Sequence, residues 1–198
     1  MDFEGILQID EGPSRTAALV AWIQGLFEEP ETTPVLVGGA AVELYTRGAY
    51  TTGDVDLVGS VTASVARTLK ETGFERHGRH WIHEPAQIFI EFPGDALDPD
   101  ERAEWFEYAG QRIHIISAED LLVERLGSWE YWQSSVDGAN ALFLWQAQKE
   151  QIDIERVDQR VARAGWRRAW ESLLQFSSSI GDEEPSAEEI EEWANAGP

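Results

Sequence analysis

The stretch VLVGGAAVELYTRGAYTTGDVDLV, residues 35–58, decides the fold of this chain. Val35-Leu36-Val37 is a short apolar run suited to a strand, Gly38-Gly39 breaks it, and Ala40 to Tyr45 brings helix-forming residues at helical apolar spacing. After a loop at Thr51 to Gly53, Asp54-Val55-Asp56-Leu57-Val58 alternates polar and apolar residues, the period of a strand with one buried face. The predicted unit is strand, glycine turn, helix, loop, strand.

Working outward, Ser14 suits a helix N-cap, and Ala18, Leu19, Trp22, Ile23 and Leu26 recur at helical spacing, predicting a helix over 15–28 that Pro30 stops. A helix is expected over 62–72, closed by Gly73. Strands are expected at 81–83, at 87–92 (ended by Pro93-Gly94) and at 111–116. From Ser117 the character becomes helical. Ser117-Ala118-Glu119-Asp120 suits a capping box, and further helices are expected near 137–149, 153–164 and 166–178. Residues 181–198 carry a dense acidic run expected to stay solvated or frayed, with Ile190 and Trp193 able to dock. The expected division is 1–116, 117–180 and 181–198.

Composition narrows the classes. The chain has 198 residues, a formal charge of −22, no cysteine and 42% apolar residues. Without thiols there is no disulfide framework, cysteine zinc site or cysteine nucleophile. No long apolar run predicts a membrane span, and the acidic start MDFEGILQIDEG lacks a signal peptide's basic end, so a cytoplasmic protein is expected. A surface this negative disfavours a phosphate backbone unless a cation intervenes, although the balance of thirteen arginines to two lysines also suits life in high salt.

The chemistry-bearing residues lie in the same central stretch. Two glycines after a strand let backbone amides approach a phosphate, and the following helix points its positive end there, so Gly38 and Gly39 are candidates for an anion seat. Asp54 and Asp56 leave the same face of their strand and can reach one hard cation with oxygen ligands. Glu91, on a later alternating strand with Gln87 and Phe89 on its face, becomes a third acid if that strand lies beside the first. Arg47 and Thr52, between the two motifs, are candidate phosphate contacts, with a surface ion pair and a loop cap as their ordinary alternatives. Each piece alone is as well explained by a tight turn or a solvated loop; their order and spacing carry the reading. His80 and His83 would face opposite sides of a strand, which argues against a histidine metal site, and Trp129, Trp132 and the Trp166 stripe read as core.

This pattern, Gly38-Gly39 followed by Asp54-Val55-Asp56 and then Glu91, resembles the minimal nucleotidyltransferases of the DNA polymerase β superfamily, and GGAAVELYTRGAYTTGDVDL looks most like the AbiEii-type branches, some of them toxins of toxin–antitoxin pairs. The resemblance covers about residues 33–160. It implies an α/β fold, a mixed-sheet nucleotidyltransferase domain followed by a helical C-terminal domain, and transfer of a nucleoside monophosphate from a nucleoside triphosphate to an acceptor hydroxyl. By the same resemblance Asp54, Asp56 and Glu91 are the catalytic residues and the ligands of Mg²⁺ or Mn²⁺, with Glu91 also the base. Gly38, Gly39, Arg47, Thr52, Arg125 and Asp137 bind the nucleotide. Arg125 stands where the family usually has lysine and Asn140 where it often has an acid. The acceptor left open is a small molecule, a protein or a tRNA end, received in a cleft lined by Arg125 and Asp137; an antitoxin-type protein is a further expected partner. The alternative is a nucleotidyltransferase-fold binding or antitoxin-like module without turnover.

Overall fold

A single helical turn, α1 (Phe3–Ile6), is followed by α2 (Pro13–Gln24), which starts on a proline because that position has no use for an amide in the first turn. This moves the helix earlier than the Ser14 cap predicts. Strand β1 (Val35–Val37) runs directly into α3 (Gly38–Tyr45), and β2 (Asp54–Val58) and α4 (Ala63–Glu71) follow. The chain then forms a hairpin of β3 (Glu75–His77) and β4 (His80–His83), the strand β5 (Ile88–Glu91), and a second hairpin of β6 (Ala103–Tyr108) and β7 (Gln111–Ile116). The computed structural model describes residues 2–181 and 185–198, in two units, Met1–Ser117 and Ala118–Pro198.

The strands form one mixed seven-stranded sheet in the order β3-β4-β5-β2-β1-β7-β6, the expected α/β architecture. Strand β1 is antiparallel to β2, with Val37 opposite Asp56, and parallel to β7. Strand β2 is parallel to β5, with Asp54 opposite Phe89 and Asp56 opposite Glu91. Val55, Leu57, Ile88 and Ile90 are buried on one face, which leaves Asp54, Asp56, Phe89 and Glu91 on the other. Every side chain of β1 is buried, as a central strand requires. Helix α3 is buried almost all round, through Ala40, Ala41, Val42, Leu44 and Tyr45. Burying a leucine such as Leu36, Leu44 or Leu57, each at 0% exposure, contributes about 1.5–3 kcal/mol.

Three local expectations change. Strands β3 and β6 form where none is predicted: β3 is exposed throughout and β6 mostly so, which removes the apolar alternation that would mark them. Gln87 is not in the strand; it sits at φ 52°, ending a 3₁₀ turn, so only Phe89 and Glu91 share that face. Trp132 is 75% exposed, whereas Trp129 is core as expected.

The second unit is helical: α5 (Ala118–Trp132), α6 (Ser135–Gln148), α7 (Ile154–Ala164), α8 (Arg167–Ile180) and α9 (Ala187–Ala196). Ser134 and Asp153 cap α6 and α7, and Ser186 with Glu189 forms a capping box on α9. Helix α9 falls within the acidic run expected to be solvated, yet it packs. The Trp129 indole donates to the Ala194 carbonyl at 2.8 Å, Trp193 stacks on Phe176, and Ile190 is buried. Residues 182–184 of that run lie outside the described residues. At the centre of this unit Asp120 is fully buried and pairs with Arg156 and, at 3.0 Å, with Arg160. Among the described residues no helix is long and apolar enough to cross a membrane.

Candidate active site

Gly38 occupies φ 67°, a conformation that costs a side-chain-bearing residue energy, and its bare Cα faces Asp56. A Cβ built there would lie 2.3 Å from Asp56 Oδ2, so the Asp56 carboxylate occupies the space that glycine leaves empty. The first residues of α3 thus sit directly against an acid, an arrangement the helix's positive end favours. A Cβ on Gly39 would meet the Thr52 side chain at 3.3 Å and the Tyr50 ring at 3.4 Å. Thr52 Oγ1 in turn accepts a hydrogen bond from the Asp54 amide at 3.3 Å. The fold therefore gathers Gly38, Gly39, Thr52, Asp54 and Asp56, which are separate in sequence, at one edge of β1 and β2.

Glu91 stands beside Asp56 in the sheet register and carries its own partners. Its Oε1 accepts from Arg79 Nε at 2.7 Å, and its Oε2 lies 3.5 Å from His80 Nδ1. His80 is Glu91's cross-strand neighbour on the side away from Asp56. Among the described residues no group of three or more histidines, cysteines or acids is arranged to hold a metal ion. The donor set that fits a cation is therefore the pair Asp54 and Asp56 on one face of β2. Two carboxylates suit magnesium, which commonly takes one or two from the protein and completes its shell with water and substrate phosphate oxygens.

The remaining expected residues belong to other elements. Arg47 is exposed, beyond the C-terminal end of α3 and so about 13 Å of helical rise from Gly38. Arg125 and Asp137 belong to the helical unit, where Arg125 Nη1 donates to Asp137 Oδ1 at 2.6 Å and its other terminal nitrogen pairs with Glu124. Burial works against the Arg125 charge, but those two carboxylates outweigh it and hold the guanidinium above its ordinary value. Asn140 is buried on α6.

Two residues that the sequence reading did not single out belong to the site. Arg79 sits in the tight turn between β3 and β4 and is brought to Glu91 by the hairpin register, which leaves no local signal. Glu43 is 1% exposed on α3 and receives hydrogen bonds from the Thr16 hydroxyl at 3.2 Å and from the Thr52 amide. Burial pushes its carboxyl above the ordinary 4.5, and those two hydrogen bonds pull the other way. A lone acid in the otherwise apolar run AAVELY was the available clue. A cavity of about 590 Å³ adjoins this end of the sheet, lined among others by Arg15, Thr16, Glu43, Thr52, Asp54 and Gln87.

No protein-family model and no curated protein matches the chain. Solved structures do. An antigenic nucleotidyltransferase-like protein from Paracoccidioides brasiliensis superposes with a TM-score of 0.51 at 16% identity, over 81% of this chain and 92% of that one. The antibiotic-resistance factor ANT(2'')-Ia superposes with a TM-score of 0.50 at 13% identity, over 90% of this chain and all of that one. The chain has a nucleotidyltransferase-like fold. At these identities the likeness concerns the fold, and the chemistry has to be argued from the residues that the fold gathers around Gly38 and Asp56.

Proposed function

We propose that this protein is a metal-dependent nucleotidyltransferase that moves a nucleoside monophosphate from a nucleoside triphosphate to an acceptor hydroxyl. The observation that carries the reading is the seat of the Asp56 carboxylate on bare Gly38, with Asp54 on the same strand face, in a nucleotidyltransferase-like fold. In this reading the acceptor oxygen bonds to the α-phosphorus, the bond from that phosphorus to the bridging oxygen breaks, and pyrophosphate leaves with the electron pair. The hydroxyl proton passes to a carboxylate of the face formed by Asp54, Asp56 and Glu91. The backbone at Gly38 and Gly39 would receive triphosphate oxygens, and Asp54 and Asp56 would hold Mg²⁺ or Mn²⁺, which would supply positive charge against the phosphates. Glu91, paired with Arg79, would stand beside them as a further acid of the same face.

A small hydroxylated acceptor is favoured over RNA. One structural neighbour is an antibiotic-resistance factor, and a chain of net charge −22 repels a polyanion. The test is Mg²⁺-dependent binding of nucleoside triphosphates by calorimetry, followed by pyrophosphate release with a panel of hydroxylated antibiotics, tRNA and protein acceptors. Asp56→Ala is expected to abolish both; equal behaviour of the variant and the parent defeats the catalytic reading.

A second reading, an interaction module such as one half of a toxin–antitoxin pair, is favoured by one observation. Tyr131 and Trp132 pack edge to face while remaining 64% and 75% exposed, a pairing more typical of a protein contact than of free surface. Loss of partner binding in Trp132→Ala, together with a silent Asp56→Ala, would favour it.

A further inference from the structure

Resting on the reading of this site as a nucleotidyltransferase centre, we propose that Glu43 is a positioning residue, which fixes the loop carrying Asp54 against the glycine turn. Glu43 lies on the same helix as Gly38 and Gly39, one turn farther on, and is 1% exposed. Its carboxylate joins three segments: α3 itself, the start of α2 through the Thr16 hydroxyl, and the loop before β2 through the Thr52 amide. Thr52 passes the constraint on in two directions. Its Oγ1 accepts from the Asp54 amide at 3.3 Å, and its side chain fills the space over Gly39. Thr51 and Gly53 on either side are exposed, so Thr52 is the point at which this loop is anchored.

An acid serves here better than an apolar residue because the half-buried Thr52 amide gains an acceptor from it, which an apolar side chain cannot supply. Its position on α3 matters equally. An acceptor on the helix whose first turn faces Asp56 ties the loop to the same body that seats the phosphate, so both halves of the site move together. Glu11, Arg15 and Asp54 are the other ionisable groups lining the adjoining cavity. Arg15 pairs with Glu11 at 3.4 Å.

Amide hydrogen exchange on the full chain tests the tie. In the parent protein the Thr52 amide is expected to be protected despite its exposed neighbours; free exchange there overturns the proposal outright. In Glu43→Leu, which keeps the volume and removes the acceptor, exchange at Thr52 and Asp54 is expected to rise by about tenfold relative to the change at Leu57 in β2. Glu43→Gln retains a carbonyl acceptor and should restore protection to the parent level. Equal changes at Thr52, Asp54 and Leu57 would mean that Glu43 only stabilises the unit, and the tie would be discarded. Mg²⁺-ATP binding supplies the functional readout, weakened about tenfold in Glu43→Leu and rescued in Glu43→Gln. A parent protein that protects Thr52 but binds no Mg²⁺-ATP would defeat the nucleotidyltransferase reading alone and leave Glu43 as a loop anchor.

Discussion

Substituting Gly38 by alanine separates the stability of the fold from the geometry of the site. Two costs are involved. At φ 67° an alanine is disfavoured by about 1–2 kcal/mol whatever surrounds it. In addition the new Cβ would lie 2.3 Å from Asp56 Oδ2, and ordinary contact begins at 3.4 Å, so the carboxylate must retreat by 1.1 Å. The displaced atom is a terminal oxygen of a short side chain, which a side-chain rotation moves aside. In the proposed role of Asp56 the position of that oxygen has no such tolerance, and a displacement of about 1 Å can lower a rate by about 100-fold. Gly110→Ala is the control, since Gly110 lies in the same unit at φ 76° with nothing within 4 Å of its Cβ. Urea unfolding is expected to show losses of about 1–2 kcal/mol in both variants. Mg²⁺-dependent triphosphate binding and pyrophosphate release are expected to fall about 100-fold only in Gly38→Ala. Parent-like nucleotide binding by Gly38→Ala would refute the claim that the Asp56 seat is functional.

Other perturbations probe the neighbouring groups. Arg79→Ala removes the partner of Glu91 while the arginine is 62% exposed, so stability should change by at most about 1 kcal/mol and Mg²⁺ affinity should rise; an unchanged affinity in calorimetry would exclude Glu91 from the ion's shell. Glu43 has a folded-state pKa above the ordinary 4.5, so its proton stabilises the fold below that value and the contribution is lost as pH rises through the raised pKa. Glu43→Gln should therefore gain stability relative to the parent as pH increases from about 4.5 upward, and a gap that stays flat or closes in urea melts would contradict the burial argument. In the helical unit, Asp120→Asn removes the fully buried carboxylate charge that Arg156 and Arg160 pair with and should cost about 3–5 kcal/mol of unfolding free energy, measured by thermal or urea denaturation.

How much of this was legible in the sequence depended on whether the determinant was local. The glycine break after Val35–Val37 and the alternation Asp54 to Val58 are local patterns, and both elements lie where the spacing predicts. That Asp56 rests on Gly38 follows from an antiparallel register in which Val37 faces Asp56, which a strand-turn-helix-strand unit suggests but cannot fix. Glu91 was identifiable as an acid on an alternating strand, but its engagement with Arg79 and His80 depends on a hairpin twelve residues upstream whose first strand carries no apolar face. The end of β5 moved for a conformational reason: Gln87 adopts a left-handed backbone after Pro85, which alternation alone does not reveal. In the helical unit, α7 was legible as a helix over 153–164 because its apolar spacing is local, whereas the packing of α9 against Trp129 was hidden beneath its acidic composition.

Charge turns the geometry of the first unit into a strict condition. Asp54, Asp56 and Glu91 share a face in a chain of net charge −22, where Arg79 pairs with Glu91. A unit charge of a triphosphate brought to about 4 Å from one such carboxylate meets a repulsion of order 4 kcal/mol at a protein surface. The backbone amides at Gly38 and Gly39 supply partial charges, too little to reverse that balance against two acids. In the proposed reading a divalent cation held by Asp54 and Asp56 would reverse the sign of the interaction, and would need no third protein ligand where phosphate oxygens take its other positions. The engagement of Glu91 with Arg79 is therefore compatible with nucleotide binding. The reading commits to an all-or-none dependence: triphosphate binding should be saturable in millimolar Mg²⁺ and vanish in EDTA, and binding that survived chelation would leave Asp54 and Asp56 as obstacles instead of ligands.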